Sequence, residues 1–389
     1  MKILLTLHHP LNIQAGAPGA TLQLGLAYQA LGHEVEYYTF DQAPVKLPEL
    51  MQSLVFPSFV ARHLAKVATQ QTIDVIDAST GDAWLWARFF RTSRQPAPLL
   101  VTRSHGLEHV AHSERMEDVQ RGNLQLSWKY PLYHGGWRLW EVAQSMRSAD
   151  RVLLLNQRDR EYAIQQLGIA PERAHIVHNG IPTSFLNQPY IPLQLGDPIR
   201  IAQVGSYIPR KGIAYGTPAL NHLLQAYPQV KVGFFGTGCP PEQVWQEFDS
   251  DVRDRVQVLP RFEHGQLPKL LSNYHIKLFP TLSEGFSLAL TEAMACGLAP
   301  VTTATPGPLE IARHADNAIV IPARNTEAIV QALEALITNI TYLNQLRYSA
   351  HATAQTYSWE RIALENLAIY EAARRPLHPV QTHVSTQLT

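Results

Sequence analysis

Two carboxylates, Glu284 and Glu292, are separated by seven residues and flank a predicted helix start at Ser287. The strand-like run before them ends at Pro280, and good helix formers continue to Gly297. Serine is a typical N-cap, and glycine is a typical residue at a helix end. The unpaired amides of a helix N-terminus attract an anion. Because side chains lean towards the N-terminus, Glu292 would reach a hydroxyl group beside that anion, and Glu284 would reach another from the loop.

This arrangement suits a ligand that carries a phosphate between two polyols, as a nucleoside diphosphate sugar does. The spacing alone leaves a second interpretation open. In that interpretation Glu292 lies on a solvated helix face, and Glu284 is an ordinary loop carboxylate.

The basic pair Arg210 and Lys211 follows a predicted strand that ends at Gly205. Breaking a sugar–phosphate bond leaves negative charge on the diphosphate, and fixed cations stabilise that charge without reorganisation. In the loop after the first predicted strand, Gly16 and Gly19 would let the backbone approach a ligand closely. The alternatives are a solubilising basic pair and a plain tight turn.

The segment 284–297 begins with Glu-Gly-Phe-Ser, continues with four further residues and ends with Glu-Ala-Met-Ala-Cys-Gly. It resembles the E-x7-E motif of the retaining glycosyltransferases of family 4, which have the GT-B fold. Further segments that resemble the family are Val204-Gly205 with Arg210-Lys211-Gly212, Gly236-Thr237-Gly238, Ala149-Asp150-Arg151-Val152, Val177-His178-Asn179-Gly180-Ile181-Pro182 and Ser358-Trp359-Glu360. The resemblance covers roughly residues 1–375. It implies an α/β protein with two Rossmann-like, doubly wound parallel-sheet domains that face a central cleft.

The resemblance also implies a reaction, the transfer of a sugar from a nucleoside diphosphate sugar to an acceptor hydroxyl with the anomeric configuration kept. Arg210 and Lys211 would hold the diphosphate. Glu292 would hold the ribose hydroxyls, and Glu284 would hold a sugar hydroxyl. The departing phosphate would assist front-face attack, without a metal ion and without a cofactor.

The predicted catalytic residues are His105, Arg210, Lys211 and Glu284. The predicted donor-binding residues are Gly16, Gly19, Gly205, Arg210, Lys211, Arg261, Phe262, Glu284, Gly285, Phe286, Ser287, Leu288 and Glu292. Among them, the loop around Arg261 and Phe262 is expected to contact the base, and a UDP sugar is favoured over a GDP sugar.

The predicted strand 99–102 is followed by His105, Glu108 and His109 in an H-x-x-E-H pattern. Inverted zincins bind zinc through this pattern, so a zinc hydrolase is one alternative function. That motif needs an unbroken helix with both histidines on one face, and Gly106 makes a poor helix start. By the resemblance, His105 faces the donor sugar from the first domain; otherwise it is a structural histidine. Glu108, His109 and His112 would line the acceptor side.

Aromatic and basic residues interleave between His105 and Ala149. They are Arg115, Arg121, Trp128, Lys129, Tyr130, Tyr133, Trp137, Arg138, Trp140 and Arg147. Such residues can lie on an anionic membrane surface or stack on a sugar acceptor. The third interpretation is ordinary helix packing, with the long cationic side chains reaching to solvent.

The chain repeats one pattern, in which short apolar strands alternate with helices and glycines stand at the strand ends. This pattern predicts parallel doubly wound sheets. The first domain is expected at residues 1–185, completed by a crossover helix at about 359–375, and the second at 195–358. Between them, the segment 182–198 contains four prolines and is the predicted linker.

Composition narrows the function classes further. The 389 residues include 32 Lys and Arg and 32 Asp and Glu, so the net charge is zero and nucleic acid is not an expected partner. The two cysteines, Cys239 and Cys296, form no framework of disulfides or Cys-x-x-Cys pair, which fits a reducing compartment. No apolar run is long enough for a membrane span or a signal peptide, so the expected location is cytoplasmic. The alternative is a cytoplasmic protein that contacts a membrane at its surface. The tail after Pro376 is polar and is expected to fray.

Three residues depart from the family pattern, namely Ser287, Pro308 and Ala318. Because of these departures, the residues of the family's sugar pocket are harder to assign in this sequence than the residues of its diphosphate site. A nucleotide-sugar epimerase of the same fold is therefore the main rival function.

Overall fold

The computed structural model describes residues 1–13, 15–45, 47–70, 73–91, 97–122 and 124–374. These residues form two six-stranded parallel sheets with helices packed against them. The predicted polar tail after Pro376 lies outside the described residues.

The first sheet has the strand order β2-β1-β3-β4-β5-β6, and every pairing in it is parallel. Its strands are β1 Lys2–Leu7, β2 Glu34–Thr39, β3 Val75–Ser79, β4 Leu99–Arg103, β5 Arg151–Leu154 and β6 Ala174–Ile176. The helices of this half are α1 Gly16–Ala30, α2 Glu49–Gln70, α3 Trp84–Phe89, α4 Glu108–Gln120, α5 Arg138–Ser148 and α6 Gln157–Gln165. Strands β3 and β4 are buried along their whole length, as expected when helices cover both faces of a parallel sheet.

The second sheet has the order β12-β11-β10-β7-β8-β9 and is also parallel. Its strands are β7 Arg200–Val204, β8 Lys231–Phe235, β9 Val256–Leu259, β10 Ile276–Phe279, β11 Ala299–Thr303 and β12 Ile319–Ile321. Its helices are α7 Ile213–Ala226, α8 Pro241–Trp245, α9 Leu267–Leu271, α10 Leu288–Ala295, α11 Pro306–Leu309, α12 Thr326–Thr338 and α13 Ile340–Ala354. The prediction of two doubly wound parallel α/β units is confirmed.

The last helix, α14 Trp359–Arg374, packs on the first sheet and against α1. A buried polar network fastens it there. The Tyr370 hydroxyl donates to Asp77 Oδ2 at 2.6 Å, and Arg103 donates to Asp77 and to Asn366. Because each polar group has a partner, the network can lie in the interior without leaving a charge unpaired. The chain thus returns from the second half to the first.

Two glycines of the first half lie in a helix rather than in the loop before it. Gly16 and Gly19 were expected in that loop, and this is wrong, because α1 begins at Gly16 and both lie in its first turn. A Cβ at Gly19 would lie 2.6 Å from the Ile13 carbonyl oxygen, so this glycine lets the preceding loop fold closely onto the helix. The boundaries of the two domains stay predictions, although residues 186–199 contain no strand or helix.

No helix within the described ranges combines the length and the apolar character needed to cross a membrane.

Candidate active site

The second sheet divides between β7 and β10, since the chain winds to β8 on one side of β7 and later returns to β10 on the other. In an open parallel sheet, ligands bind in the crevice outside the carboxyl ends of the strands at such a point. The loops that leave β7 and β10 carry Lys211 and Glu284 respectively. The fold therefore brings together residues that are 73 positions apart in the chain.

Gly212 allows these two loops to touch. Its φ is +72°, and a Cβ there would lie only 1.8 Å from the Pro280 carbonyl oxygen. The main chain of Arg210 also accepts a hydrogen bond from the Leu282 amide at 2.9 Å. Gly205, at the end of β7, has a φ of +121° and lies beneath the Lys211 side chain. Both glycines therefore serve the close approach of backbone and side chains at the crevice.

Arg210 and Lys211 converge on the Glu284 carboxylate. The Lys211 ammonium lies 2.5 Å from Glu284 Oε1, and Arg210 Nη1 lies 3.3 Å from the same oxygen. The Thr281 hydroxyl donates to it as well, at 3.0 Å. The side chains of Lys211 and Glu284 are largely buried, whereas Arg210 is half exposed. The sequence indicated one site for these groups but did not predict that the two cations would pair with Glu284.

Helix α10 begins at Leu288 and ends before Gly297, whose φ of +78° is typical of a helix C-terminus. Ser287 occupies the N-cap position as predicted, and its buried hydroxyl has no hydrogen-bond partner among the described residues. Phe286 is buried, with its ring 5.3 Å from the His178 ring. The N-terminus of α10 opens at the crevice, where an anion would meet backbone amides.

Glu292 is buried, so the interpretation that places it on a solvated helix face is wrong. Its Oε1 lies 2.8 Å from His264 Nε2, and this bond raises the pKa of His264 above 6.5. The ring of Phe185, from the end of the first half, lies 5.3 Å from the His264 ring. Sequence reasoning missed His264, because nothing in its own segment marks it as a partner of Glu292.

Lys277, on β10, is a second residue that sequence reasoning missed. It is 0% exposed, and its ammonium nitrogen lies 3.4 Å from the Val204 carbonyl oxygen. Burial and the nearby Lys211 hold the pKa of Lys277 well below 10.5. A lysine inside an otherwise apolar strand was the available signal, since a strand of a covered parallel sheet has no solvated face.

His105 lies in the loop after β4, where the first half meets the crevice. A Cβ at Gly285 would lie 2.9 Å from both the His105 carbonyl oxygen and the Gly106 Cα, so the loops of the two halves are in contact there. Both ring nitrogens of His105 are buried without a hydrogen-bond partner among the described residues, and burial lowers its pKa to about 3. A neutral imidazole with two unused nitrogens can accept or donate a hydrogen bond to a bound hydroxyl.

The geometry of a zinc-binding helix is not formed at the H-x-x-E-H segment. Helix α4 begins only at Glu108, so His105 lies outside it. The Glu108 carboxylate lies 2.9 Å from Arg138 Nη2 and accepts from the Thr80 hydroxyl. His109 packs beside the Tyr162 ring. In the part of the chain that is described, no group of three His, Cys, Asp or Glu residues could hold a metal ion.

The predicted base-contacting loop follows β9. The Phe262 ring covers Gly236, since a Cβ at that glycine would lie 2.9 Å from Phe262 Cε1, while Arg261 is exposed. This loop stands at the carboxyl end of the sheet beside the crevice. Leu288 opens helix α10 itself. Gly16 and Gly19, by contrast, belong to the first half.

The two halves are joined along the crevice by polar contacts. Asn156, the N-cap of α6, donates to the Gly285 carbonyl oxygen at 2.9 Å. On the outer side of the crevice, Arg324 pairs with Asp118 of α4 at 2.5 Å. An open pocket of about 660 Å³ lies between α4 and the loops of the second half and is lined in part by Arg210. The crevice is therefore bridged, with space left beside Arg210.

The aromatic and basic stretch of the first half is largely at the surface. Trp137 and Trp140 are 44% and 43% exposed, and both rings pack around Trp84. Trp128 is 76% exposed, and the Lys129 ammonium lies 5.5 Å from its ring centroid. The packing interpretation fits Trp137 and Trp140, which are partly covered by Trp84, whereas Trp128 extends into solvent.

Two family models match the chain. The model described as Glycosyltransferase Family 4 matches residues 16–185, and the model described as Glycosyl transferases group 1 matches residues 191–353. The second match contains all six strands of the second sheet, and the first contains five strands of the first sheet, since β1 precedes residue 16.

The curated relatives are distant. The phosphatidylinositol N-acetylglucosaminyltransferase subunits of Arabidopsis thaliana and of Homo sapiens are each 25% identical over 232 residues. These matches cover 59% and 58% of this chain but only 51% and 47% of the relatives, so the chain spans about half their length. The alpha-maltose-1-phosphate synthase of Mycolicibacterium smegmatis is 22% identical over 298 residues, which cover 70% of this chain and 74% of that protein.

Solved structures share the architecture. A sucrose-phosphate synthase from Thermosynechococcus elongatus superposes with a TM-score of 0.74 at 18% identity, covering 95% of this chain and 98% of that one. HepE from Anabaena in complex with UDP superposes with a TM-score of 0.68 at 18% identity, covering 96% and 100%. At such identities the likeness shows the fold, which is GT-B. The chain belongs to the group 1 glycosyltransferases of family 4.

Proposed function

We propose that this protein transfers a sugar from a nucleoside diphosphate sugar to an acceptor hydroxyl and retains the anomeric configuration. The observation that carries the proposal is the convergence of Arg210, Lys211 and Glu284 at the crevice beside the N-terminus of α10. Two cations and a helix N-terminus at one point suit a diphosphate. A carboxylate beside them suits the hydroxyls of the attached sugar.

The leaving group is stabilised by this chain's own charges. As the sugar–phosphate bond breaks, Arg210, Lys211 and the amides of α10 meet the charge that grows on the diphosphate. We propose on this basis that no divalent ion and no cofactor is required. The departing phosphate oxygen would take the proton of the attacking hydroxyl on the same face of the sugar, which keeps the anomeric configuration.

The carboxylates position the two ends of the donor. Glu292 would bind the ribose hydroxyls, in exchange for or together with His264. Glu284 would bind a sugar hydroxyl once Lys211 turns to the diphosphate. The unused ring nitrogens of His105 would contact the sugar from the opposite wall.

We propose a UDP sugar as the donor, with Phe262 and Arg261 beside the base. HepE, which has the same fold, was solved with UDP and with UDP-glucose. That likeness supports the proposal through the fold alone.

Incubation with a panel of UDP, GDP and ADP sugars, with and without EDTA, tests the reaction. The expected result is release of a nucleoside diphosphate that EDTA does not reduce, with the product linkage retained by NMR. Loss of release on addition of EDTA would overturn metal independence. Recovery of an epimerised donor would support the epimerase instead, which the two matching transferase families do not favour.

For the acceptor, the exposed tryptophans and neighbouring Lys129 and Arg115 support peripheral contact with an anionic membrane, and hence a lipid-linked acceptor, within a cytoplasmic location. Aromatic rings favour the interface of a bilayer, and cations favour anionic headgroups. Co-sedimentation with vesicles that contain or lack anionic lipid tests this proposal. Binding without dependence on anionic lipid, or no binding, would contradict it.

A further inference from the structure

Lys277 is not explained by packing. It stands between Ile276 and Leu278 on β10, and its side chain is completely buried. An apolar residue would cost less there, since an amine taken out of water loses its hydration. Its hydrogen bond to the Val204 carbonyl oxygen, at 3.4 Å, is long for an ammonium donor.

The position of this amine is also specific. Val204 is the last residue of β7, so the amine lies where β7 and β10 separate and the crevice begins. The ammonium nitrogens of Lys277 and Lys211 each lie 5.3 Å from the centroid of the Phe279 ring. Lys277 and Lys211 therefore contact the same aromatic ring, which places the buried amine close to the Lys211–Glu284 pair.

This inference rests on the proposed donor site. We propose that Lys277 is a positioning residue that takes up a proton from solvent when the diphosphate binds, and that it then replaces Lys211 as the cation beside Glu284. In the free protein, Lys211 neutralises Glu284. Once Lys211 and Arg210 turn to the diphosphate, Glu284 would remain as a largely buried charge without a cation, beside another anion. Such a charge is costly unless a new cation forms next to it.

The charged groups around Lys277 fit this exchange. Lys211 from the turn after β7 disfavours a charge on the amine, whereas Glu284 from the loop after β10 and Glu292 from α10 favour it. His264 pairs with Glu292, the second of these carboxylates, with its Nε2 at 2.8 Å from Glu292 Oε1. Burial and Lys211 both lower the pKa of Lys277 in the free protein and so favour the neutral amine. When a diphosphate binds and Lys211 moves towards it, the protonation equilibrium of Lys277 would shift to the ammonium form.

The test compares wild type with Lys277→Met, which keeps the shape of the side chain and removes the amine. Calorimetric titration with UDP, in two buffers of different ionisation enthalpy, gives the number of protons taken up. Titrations at about pH 7.5, 8.5 and 9.5 avoid the phosphate pKa of about 6. Lys231→Met, at the exposed start of β8, is the matched control.

Wild type and Lys231→Met are expected to take up more protons per UDP than Lys277→Met, by up to one. Lys277→Met is expected to bind UDP about tenfold more weakly, as for the loss of one charged interaction. It should melt at a higher temperature than wild type, because a buried amine is removed. Equal proton uptake in wild type and Lys277→Met would overturn the inference.

Wild type alone gives a second measurement that does not depend on the variant folding. Its affinity for UDP should fall as the pH rises above about 8, because the protonated form is the one that binds. A flat profile from about pH 8 to 9.5 would overturn the inference. If wild type binds none of UDP, GDP and ADP, the proposed function itself fails. Binding of UDP without proton uptake leaves that function standing and removes only the role of Lys277.

Discussion

At the scale of single residues, the carboxylates of the site are already engaged before a donor arrives. Glu284 is paired with Lys211 and Arg210, and Glu292 is paired with His264. A ligand must therefore exchange partners rather than fill bare charges. This arrangement stabilises the free protein, since neither carboxylate is buried as an unpaired ion.

The pair of His264 and Glu292 predicts a pH dependence of stability. Glu292 raises the pKa of folded His264 above 6.5, so the folded state holds a proton that the unfolded state releases. The stabilisation, up to about 1 kcal/mol for a partly exposed pair, is complete below about pH 6.5 and is lost as the pH rises through the folded pKa. Thermal unfolding should give a lower melting temperature for His264→Gln than for wild type at low pH. This difference in melting temperature should disappear at high pH.

The control for this prediction is His222→Gln, which changes an exposed histidine of α7. It should follow wild type at every pH. A difference between His264→Gln and wild type that does not change with pH would mean that packing, not the charged pair, carries the effect.

The sequence was sufficient to predict that Arg210, Lys211 and Glu284 lie near one another, because glycines, strand ends and a helix start mark the crevice. It was not sufficient to predict which of these side chains pair. Their pairing depends on the distance between two loops, and that distance is set by the contact of Gly212 with Pro280, which are 68 positions apart in the chain. For a partner on another loop, such as His264, the sequence near Glu292 contains no pattern that predicts the contact.

At the scale of elements, the strands and helices were predictable because apolar runs and glycine stops repeat along the chain. The predicted start of α1 is too late, since glycines usually disfavour a helix, yet Gly19 is retained for its close approach to Ile13. The position of Gly307 in α11 has the same kind of reason. A Cβ there would lie 2.7 Å from the Glu284 carbonyl oxygen, so α11 packs closely on the loop that carries Glu284.

Replacement of Gly212 by alanine should disrupt the contact between the loops after β7 and β10. The substitution meets both a positive φ and the Pro280 carbonyl oxygen, which would lie 1.8 Å from the new Cβ. Strain of roughly one to three kcal/mol is typical of the positive φ alone. We expect a lower melting temperature and a loss of UDP binding. Gly196→Ala, with a φ of +93° and open space around its Cβ, is the control and should lower stability without loss of UDP binding. Equal behaviour of the two variants would contradict the role of the contact.

At the scale of the whole molecule, the proposed reaction would use both halves, each for a different part of the substrates. Arg210, Lys211 and Glu292 all belong to the second half, whereas His105 belongs to the first. Helix α14 returns to the first sheet and is fixed there by Asp77 and Arg103, so the halves are connected at two places in the chain. In the proposed reaction, the donor would bind to the second half, and His105 would contact the sugar from the first half.

Gly285→Ala tests this division of labour. The new methyl group would lie 2.9 Å from the Gly106 Cα and from the His105 carbonyl oxygen, so the two walls must move apart. Because the methyl group points at the first half, UDP binding should change by less than about threefold. The transfer rate should fall by about tenfold or more, since displacement of a positioned group by about 1 Å is enough for such a loss. Gly265→Ala, which has open space around its Cβ, should change neither quantity. A Gly285→Ala variant with an unchanged transfer rate would show that the contact between the walls is not needed for the reaction.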